Sequence, residues 1–249
     1  MNEVAGGLCA GVGPWFPVVT CEHGGNRVPA RYAGLFTGAR RVLASHRAFD
    51  RGALELARRL AARLGAPRVT ATVTRLLVDL NRSPGHPGLY SEFTARLDPA
   101  ERRAIFERYW GTYRRRVESL VEEAAGRGAR VLHVSVHTFT PVPDGSPRRA
   151  DVGLLYDPSR PSEQDLCLAW QKTLGVRRPD LSVRRNYPYR GTANGLTTWL
   201  RRRFGPQRYA GIELEVNQRW PRRGGRPWTQ LQRDLAEALA AASSGTSLP

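Results

Sequence analysis

Lysine is nearly absent from this sequence, and arginine carries almost all of its positive charge. Lys172 is the only lysine, yet lysine and arginine together number 39 against 22 acidic residues, which gives a formal net charge of +17. The arginines are spread through predicted helices rather than gathered in a tail, so we interpret most of them as solvated helix faces. Such a charge also attracts anions, including small carboxylates and nucleic acid.

Long apolar runs and paired cysteines are also absent. No run approaches the ~18 apolar residues of a membrane helix, and the first 20 residues contain the acidic Glu3 and no basic segment. We therefore expect no signal peptide, a cytoplasmic location and no membrane partner. The three cysteines, Cys9, Cys21 and Cys167, are too few and too widely spaced for a disulfide framework or a CxxC metal site.

What the sequence does contain is an alternation of short apolar strands and amphipathic helices, which predicts a layered α/β fold. At 249 residues, one domain is the default expectation. We expect a single domain over residues 1–249, with a core at about 15–242 and a frayed tail at 243–249. The predicted strands are 17–21, 68–80, 130–137, 151–156, 183–185 and 209–216. The predicted helices are 49–64, 98–125, 163–174, 192–204 and 228–242.

Polar side chains follow or end four of these predicted strands. In open α/β sheets, ligands bind beyond the carboxyl ends of the strands, so we expect these side chains to share one cleft. They are His23, His137, the pair Glu213 and Glu215, and the group Asp79, Asn81 and Arg82.

Each residue also has a simpler explanation when it is taken alone. His23 could hydrogen-bond a turn, His137 could be a satisfied core histidine, and Asp50 could cap a helix. His133 shares a strand face with His137 but lies about 13 Å back at ~3.3 Å per residue, so we assign it to the core. His46 and the similarly placed His86 lie in polar loops and are predicted to be at the surface.

Together the residues indicate a catalytic metal centre. Two histidines and a carboxylate, with a fourth position open to water, are the ligands of a catalytic zinc ion. A glutamate outside the ligand set could move protons, an arginine could stabilise a developing oxyanion, and further arginines could bind a substrate carboxylate.

Six blocks, in this order, resemble the motif series of the N-formylglutamate amidohydrolase family, in particular its branch with an E-H-x-x-N start. The resemblance covers roughly residues 15 to 220. The blocks are CEHGGNRVP at 21–29, HRAFDRGA at 46–53, TRLLVDLNR at 74–82, VHTFTP at 136–141, NYPY at 186–189 and IELEVN at 212–217.

The resemblance implies a single-domain, mixed β-sheet flanked by helices, of the phosphorylase/hydrolase-like type found in zinc carboxypeptidases and aspartoacylases. It also implies hydrolysis of an amide on an amino-acid-like carboxylate with one zinc ion. The residues carried over are His23 and His137 as metal ligands, Arg75 for polarising the carbonyl, Asn81 and Arg82 for carboxylate binding, and Glu215 as general base and acid.

One position departs from the pattern of the carboxypeptidases. Their acidic ligand comes three residues after the first histidine, where this sequence has Asn26. We predict Asp50 as the third ligand, with Glu22 as the alternative. Asn26 and Glu213 are predicted to contact substrate instead, and Arg190 is predicted as a second carboxylate clamp.

The sequence thus predicts a zinc-dependent hydrolase that cleaves an N-acyl or amide bond of a small acidic substrate. One alternative is a metallopeptidase or amidase that acts on a modified peptide. Another is a non-catalytic nucleic-acid-binding protein on the same fold, but no RNA-recognition, helix-turn-helix or zinc-finger pattern supports it. The motifs specify the reaction class more strongly than the substrate, because related folds host different substrates.

Overall fold

A six-stranded mixed sheet forms the centre of the molecule. The computed structural model describes residues 14–143 and 145–244. The sheet order is β2-β1-β3-β6-β4-β5, and all neighbours are parallel except the antiparallel pair of β4 and β6. The strands are β1 (Trp15–Cys21), β2 (Arg68–Thr70), β3 (Arg130–Phe139), β4 (Val152–Leu155), β5 (Val183–Arg185) and β6 (Tyr209–Asn217). The predicted mixed α/β sheet is confirmed.

Helices cover both faces of this sheet. They are α1 (Arg40–Leu43), α2 (Ala53–Leu64), α3 (Pro99–Ile105), α4 (Thr112–Gly126), α5 (Pro161–Arg177), α6 (Leu196–Arg201), α7 (Arg219–Arg223) and α8 (Gly225–Ser243). A 3-10 helix spans Ala30–Phe36, and a π-helical stretch, Phe106–Gly111, joins α3 to α4. None of the described helices is long and apolar enough to cross a bilayer.

The core has two apolar layers, one on each side of the sheet. Helices α2, α5 and α8 pack on one face through residues such as Leu60, Trp170 and Leu235. Helices α4 and α6 pack on the other face through residues such as Val117 and Leu200. Because β3 and β6 are covered on both faces, they are buried nearly throughout, as central parallel strands are.

Helix ends follow the local sequence closely. Asp98 caps α3, where its carboxylate accepts hydrogen bonds from the amides of Ala100 and Glu101, at 2.9 and 3.0 Å, and Pro99 takes the first helical position. Gly65 ends α2 with a φ of +60°, a conformation in which glycine meets no Cβ clash. Both helix ends thus carry residue types that are typical of those positions.

The predicted strand at 68–80 is wrong beyond Thr70. After one isolated bridge at Val73, the chain turns through hydrogen bonds such as Leu77 N to Thr74 O, 3.0 Å. The apolar residues that suggested a strand are buried in the core on the α4 side. Burial explains their composition, and they pair with no neighbouring strand.

Two further expectations concern the helix start near Asp50 and the chain ends. Helix α2 begins at Ala53 rather than at residue 49, because Gly52 has a φ of +83° and interrupts the helix. Of the predicted tail, residues 245–249 lie outside the described residues, and Ser243 still belongs to α8.

Cys21 and Cys167 are unpaired and buried, while Cys9 lies outside the described residues.

Candidate metal centre and active-site cavity

Three sheet strands and two loops bring the candidate residues together at the carboxyl edge of the parallel strands. His23 lies two residues beyond the end of β1, and its carbonyl oxygen accepts a 2.9 Å hydrogen bond from the amide of Asp50. His137 lies on β3 directly opposite Glu215 on β6. This register places an imidazole and a carboxylate side by side.

The two histidines and Asp50 meet at one point. One nitrogen from each ring and one oxygen of Asp50 all lie within 4.8 Å of one another, and the ring centroids are 5.1 Å apart. Asp50 Oδ2 is 2.9 Å from His137 Nδ1 and 3.4 Å from His23 Nδ1. These three side chains could therefore hold one metal ion, in agreement with the predicted ligand set.

The far nitrogen of each ring faces a second carboxylate. His23 Nε2 lies 2.8 Å from Asp79 Oδ1, and His137 Nε2 lies 3.1 Å from Glu22 Oε2. Carboxylates in this position orient metal-binding histidines and increase their basicity. Glu22, the alternative third ligand, thus contacts the opposite side of the His137 ring from Asp50. This geometry favours Asp50 over Glu22 as the third ligand.

The electrostatics of the centre favour a cation. Burial by itself would raise the pKa of Asp50, but the charge of His23 and the hydrogen bond with His137 outweigh it and hold the pKa well below its usual range. Burial would lower the pKa of His137, yet hydrogen bonds to Asp50 and Glu22 hold it well above its usual range. The carboxylates attract a positive charge here, which a proton or a metal ion can supply.

Glu215 differs from these paired carboxylates. It is buried, and burial raises its pKa to about 8, with the charges of Asp50 and Glu213 contributing in the same direction. Its Oε2 has no hydrogen-bond partner among the described residues. An unpaired carboxyl group with a pKa near neutrality can both accept and donate a proton.

Arg75 and Asp79 form the wall beside His23. Arg75 Nη2 donates to Asp79 Oδ2 at 2.8 Å, and Nη1 lies 3.5 Å from Asp50 Oδ1. The Arg75 side chain is a quarter exposed, so the guanidinium is fixed by two carboxylates and still reaches the cavity. The sequence predicted Asp79 at the end of a fourth strand. In the structure it lies in a buried turn instead.

These groups face a cavity of about 190 Å³. Drug-sized ligands occupy cavities of roughly 300–1,000 Å³, so this cavity suits a small substrate or the end of a larger one. Its lining consists of His23, His46, Asp50, Arg75, Asn81, Arg82, His137, Thr138, Phe139, Thr140, Tyr189, Ala193, Asn194, Glu213 and Glu215.

The predicted substrate residues divide into two groups. Asn81, Arg82 and Glu213 line the cavity. Asn26 and Arg190 are exposed and are not among its lining residues. The side-chain amide of Asn26 donates instead to the carbonyl oxygen of Leu43 at 2.8 Å. The cavity lining does not support their predicted substrate contacts, which stay predictions.

Some lining residues were not predicted. His46, assigned to the surface, is exposed but borders the cavity, and Tyr189 and Asn194 come from the loop before α6. Asn194 Oδ1 accepts from the amide of Ser83, and its carbonyl oxygen accepts from Arg82. His46 and Tyr189 belong to two of the six motif blocks, whereas Asn194 lies on a loop beyond the NYPY block, so its position near a motif was its only sequence signal.

His133 is a core residue, as predicted. It is fully buried between Thr20 and the hydroxyl group of Tyr209, at 2.8 and 2.6 Å. Burial lowers its pKa to about 4, so it is neutral at pH 7.

The mixed sheet, the small polar cavity and the cluster of two histidines and an aspartate define a mixed α/β domain with a candidate metal centre. The family model for N-formylglutamate amidohydrolase matches residues 17–220. The chain belongs to this family and is an amidohydrolase of the N-formylglutamate type.

Two solved structures support the fold. The gene product Atu2144 from Agrobacterium tumefaciens is 31% identical, with a TM-score of 0.79 over 93% of this chain and 91% of that one. The N-formylglutamate amidohydrolase from Ralstonia eutropha JMP134 is 22% identical, with a TM-score of 0.67 over 94% and 95%. The search of curated proteins found no match.

Proposed function

We propose that this protein is a zinc-dependent hydrolase that cleaves the N-acyl amide bond of a small, acidic, amino-acid-like substrate. The observation that carries the proposal is the convergence of His23, Asp50 and His137. His23 Nδ1 is buried and has no hydrogen-bond partner among the described residues. A buried nitrogen is costly to leave unpaired, and a metal ion would pair it.

The donor set fits zinc. Two imidazole nitrogens and one carboxylate oxygen, with a coordination position left for water, form a typical catalytic zinc site. When bound, the ion would supply a Lewis acid and lower the pKa of water. One zinc ion per chain is expected.

Glu215 moves the protons in the proposed reaction. Its carboxylate takes a proton from the attacking water as the oxygen adds to the substrate carbonyl carbon. It then delivers that proton to the amide nitrogen as the C–N bond breaks, which yields an amine and a carboxylic acid that loses its own proton to form the carboxylate. A pKa of about 8 suits a group that must both accept and release a proton near neutral pH.

Arginines position the substrate and its charge. The guanidinium of Arg75, fixed by Asp79 and Asp50, stabilises the negative charge that develops on the carbonyl oxygen. Arg82 lines the cavity and forms no ion pair among the described residues, so it is available to bind a substrate carboxylate together with Asn81. The small cavity accommodates a free N-acyl amino acid, and the substrate panel separates this substrate from the end of a peptide.

A substrate panel tests this proposal. N-formyl, N-acetyl and N-succinyl amino acids and short peptides are assayed with and without added zinc, after treatment of the protein with a chelator. We expect zinc-dependent release of the free amine, with acidic amino acids preferred. Hydrolysis of peptides alone would favour the peptidase alternative, and no zinc-dependent hydrolysis of any amide would contradict the proposal.

A further inference from the structure

Behind the metal centre, on the side away from the cavity, lies a second carboxylate with unusual surroundings. Glu22 is completely buried, and its only ion-pair partner among the described side chains is His137. Burying a carboxylate is expensive unless hydrogen bonds compensate for the lost water. Burial of Glu22 therefore costs folding free energy. An apolar residue at this position would avoid that cost if the position were purely structural.

Two hydroxyl groups supply those hydrogen bonds. Tyr113, from α4, donates to Glu22 Oε1 at 2.8 Å, and Ser135, from β3, donates to Glu22 Oε2 at 2.6 Å. Ser135 Oγ also lies 2.9 Å from His137 Nε2. Glu22, Tyr113, Ser135 and His137 thus form one buried hydrogen-bonded group, which we call the Glu22 network.

The donors and acceptors of this network fix the tautomer of His137. Ser135 has a single hydroxyl proton, which it gives to Glu22, so it can only accept from His137. An ionised Glu22 is also an acceptor. The Nε2 atom of His137 faces these two acceptors and must therefore carry a proton. In the neutral ring, the lone pair is then on Nδ1, which points towards Asp50.

We infer that Glu22 is a positioning residue that holds His137 as the Nε2–H tautomer, with its Nδ1 lone pair aimed at a divalent metal ion, and thereby increases the affinity of the site for that ion. This inference rests on the proposed function. It adds a residue that touches neither the metal nor the substrate and that acts through the imidazole.

The molecule offers a matched control for Glu22. Glu163 is equally buried and also accepts several hydrogen bonds, but its ion-pair partner is Arg201 rather than a histidine of the site. Glu22→Gln and Glu163→Gln each remove one buried negative charge. Only the first change removes a charge that acts on a metal ligand.

The test is the dissociation constant for Zn²⁺, measured by competition with a chromophoric chelator. Groups that accept a hydrogen bond from the far nitrogen of a metal-binding histidine typically increase metal affinity by about 10–100-fold. Glu22→Gln should therefore weaken zinc binding by that factor. Tyr113→Phe keeps the charge and should weaken binding less. Glu163→Gln, measured where circular dichroism shows it to be folded, should bind zinc like the wild type.

A second measurement does not depend on the folding of any variant. The ¹⁵N spectrum of histidine-labelled, zinc-loaded wild-type protein should show His137 bound through Nδ1 and protonated at Nε2. Binding through Nε2, or equal zinc affinity of Glu22→Gln and the wild type, would overturn the role of Glu22. Failure of the wild type itself to bind zinc would instead overturn the proposed function, and this inference with it.

Discussion

Among the buried ionic clusters of the described residues, two differ in how completely their polar atoms are paired. In the first, Arg201 and Glu163 form an ion pair of 2.9 Å. Arg201 also donates to the carbonyl oxygens of Gly191 and Gly211, and Glu163 accepts from the amides of Asp157 and Gly211. Every charged atom of this cluster has a partner, and it ties α5 and α6 to β6.

The second cluster is the metal centre, where pairing is incomplete. His23 Nδ1 and Glu215 Oε2 have no hydrogen-bond partner within the described part of the chain, although both are buried. Both atoms belong to residues that line the cavity. A fully paired network stabilises a fold, whereas buried atoms left unpaired at a cavity are available to a ligand or a proton.

The net charge of the whole chain differs from the local charge around the two histidines. The chain carries +17 overall, yet the centre gathers Glu22, Asp50, Asp79 and Glu215 around two histidines, with Arg75 as the nearby cation. Surface arginines therefore say little about what the site binds. The local excess of carboxylates is what suits a divalent cation.

The largest expected effect is on catalysis at the incompletely paired cluster. Glu215→Gln removes the proposed proton carrier and should lower kcat by about 10²–10⁴-fold, the usual contribution of general acid–base catalysis. Zinc content should be unchanged, because Glu215 is not a proposed ligand. Glu213→Gln, two residues away on the same strand face, is the matched control and should lose much less. Near-normal turnover by Glu215→Gln would remove this residue from the mechanism.

The next effect is on stability at the fully paired cluster. Glu163→Gln leaves Arg201 buried with an incomplete set of partners. Breaking a buried ion pair typically costs about 3–5 kcal/mol, and chemical denaturation should show a loss of that size. A change below about 1 kcal/mol would mean that this cluster is not the structural one of the two.

A smaller effect is expected for substrate affinity. Charge-assisted hydrogen bonds contribute about 1.5–3 kcal/mol, so Arg82→Ala should raise KM for N-acyl amino acids with a free carboxylate by about 10–100-fold. Neutral amide analogues should be affected little. Arg190→Ala is the control, because Arg190 lies outside the cavity lining. Equal effects on charged and neutral substrates would contradict a carboxylate clamp.

A last effect, similar in size to the one on substrate affinity, concerns the pH dependence of stability. The pKa of His133 is about 4 in the folded protein and near 6.5 when unfolded. Between these values the unfolded chain binds a proton that the folded chain does not, so stability falls as pH falls from about 6.5 to about 4. The loss is on the order of 3 kcal/mol. In His133→Gln this part of the pH dependence should be missing from denaturation curves, and an unchanged slope would contradict it.

The sequence predicted the parts of the site that rest on regular strands. Apolar runs located β1, β3 and β6, and strand periodicity placed Glu213 and Glu215 on one face. The carboxyl-edge rule then brought His23, His137 and Glu215 together. These predictions succeed because the carboxyl ends of parallel strands lie at the same edge of the sheet, so residues at those ends are close in space.

Other parts depend on contacts that no local pattern encodes. The interval after Thr70 is as apolar as a strand because it is buried, and burial and strand pairing leave the same composition. The donation from Tyr113 to Glu22 joins residues 91 positions apart. Asn26 and Arg190 were predicted from their place in or beside the motifs, but neither residue is in the cavity lining.

The central claim is that His23, Asp50 and His137 hold one zinc ion, and the metal content of the purified protein tests it most directly. Protein prepared without chelator should contain about one zinc per chain by plasma mass spectrometry, and the double variant His23→Ala, His137→Ala should contain none while remaining folded. Zinc bound equally by the double variant, or a wild-type protein that hydrolyses its amide substrate at full rate after complete removal of metal, would contradict the account.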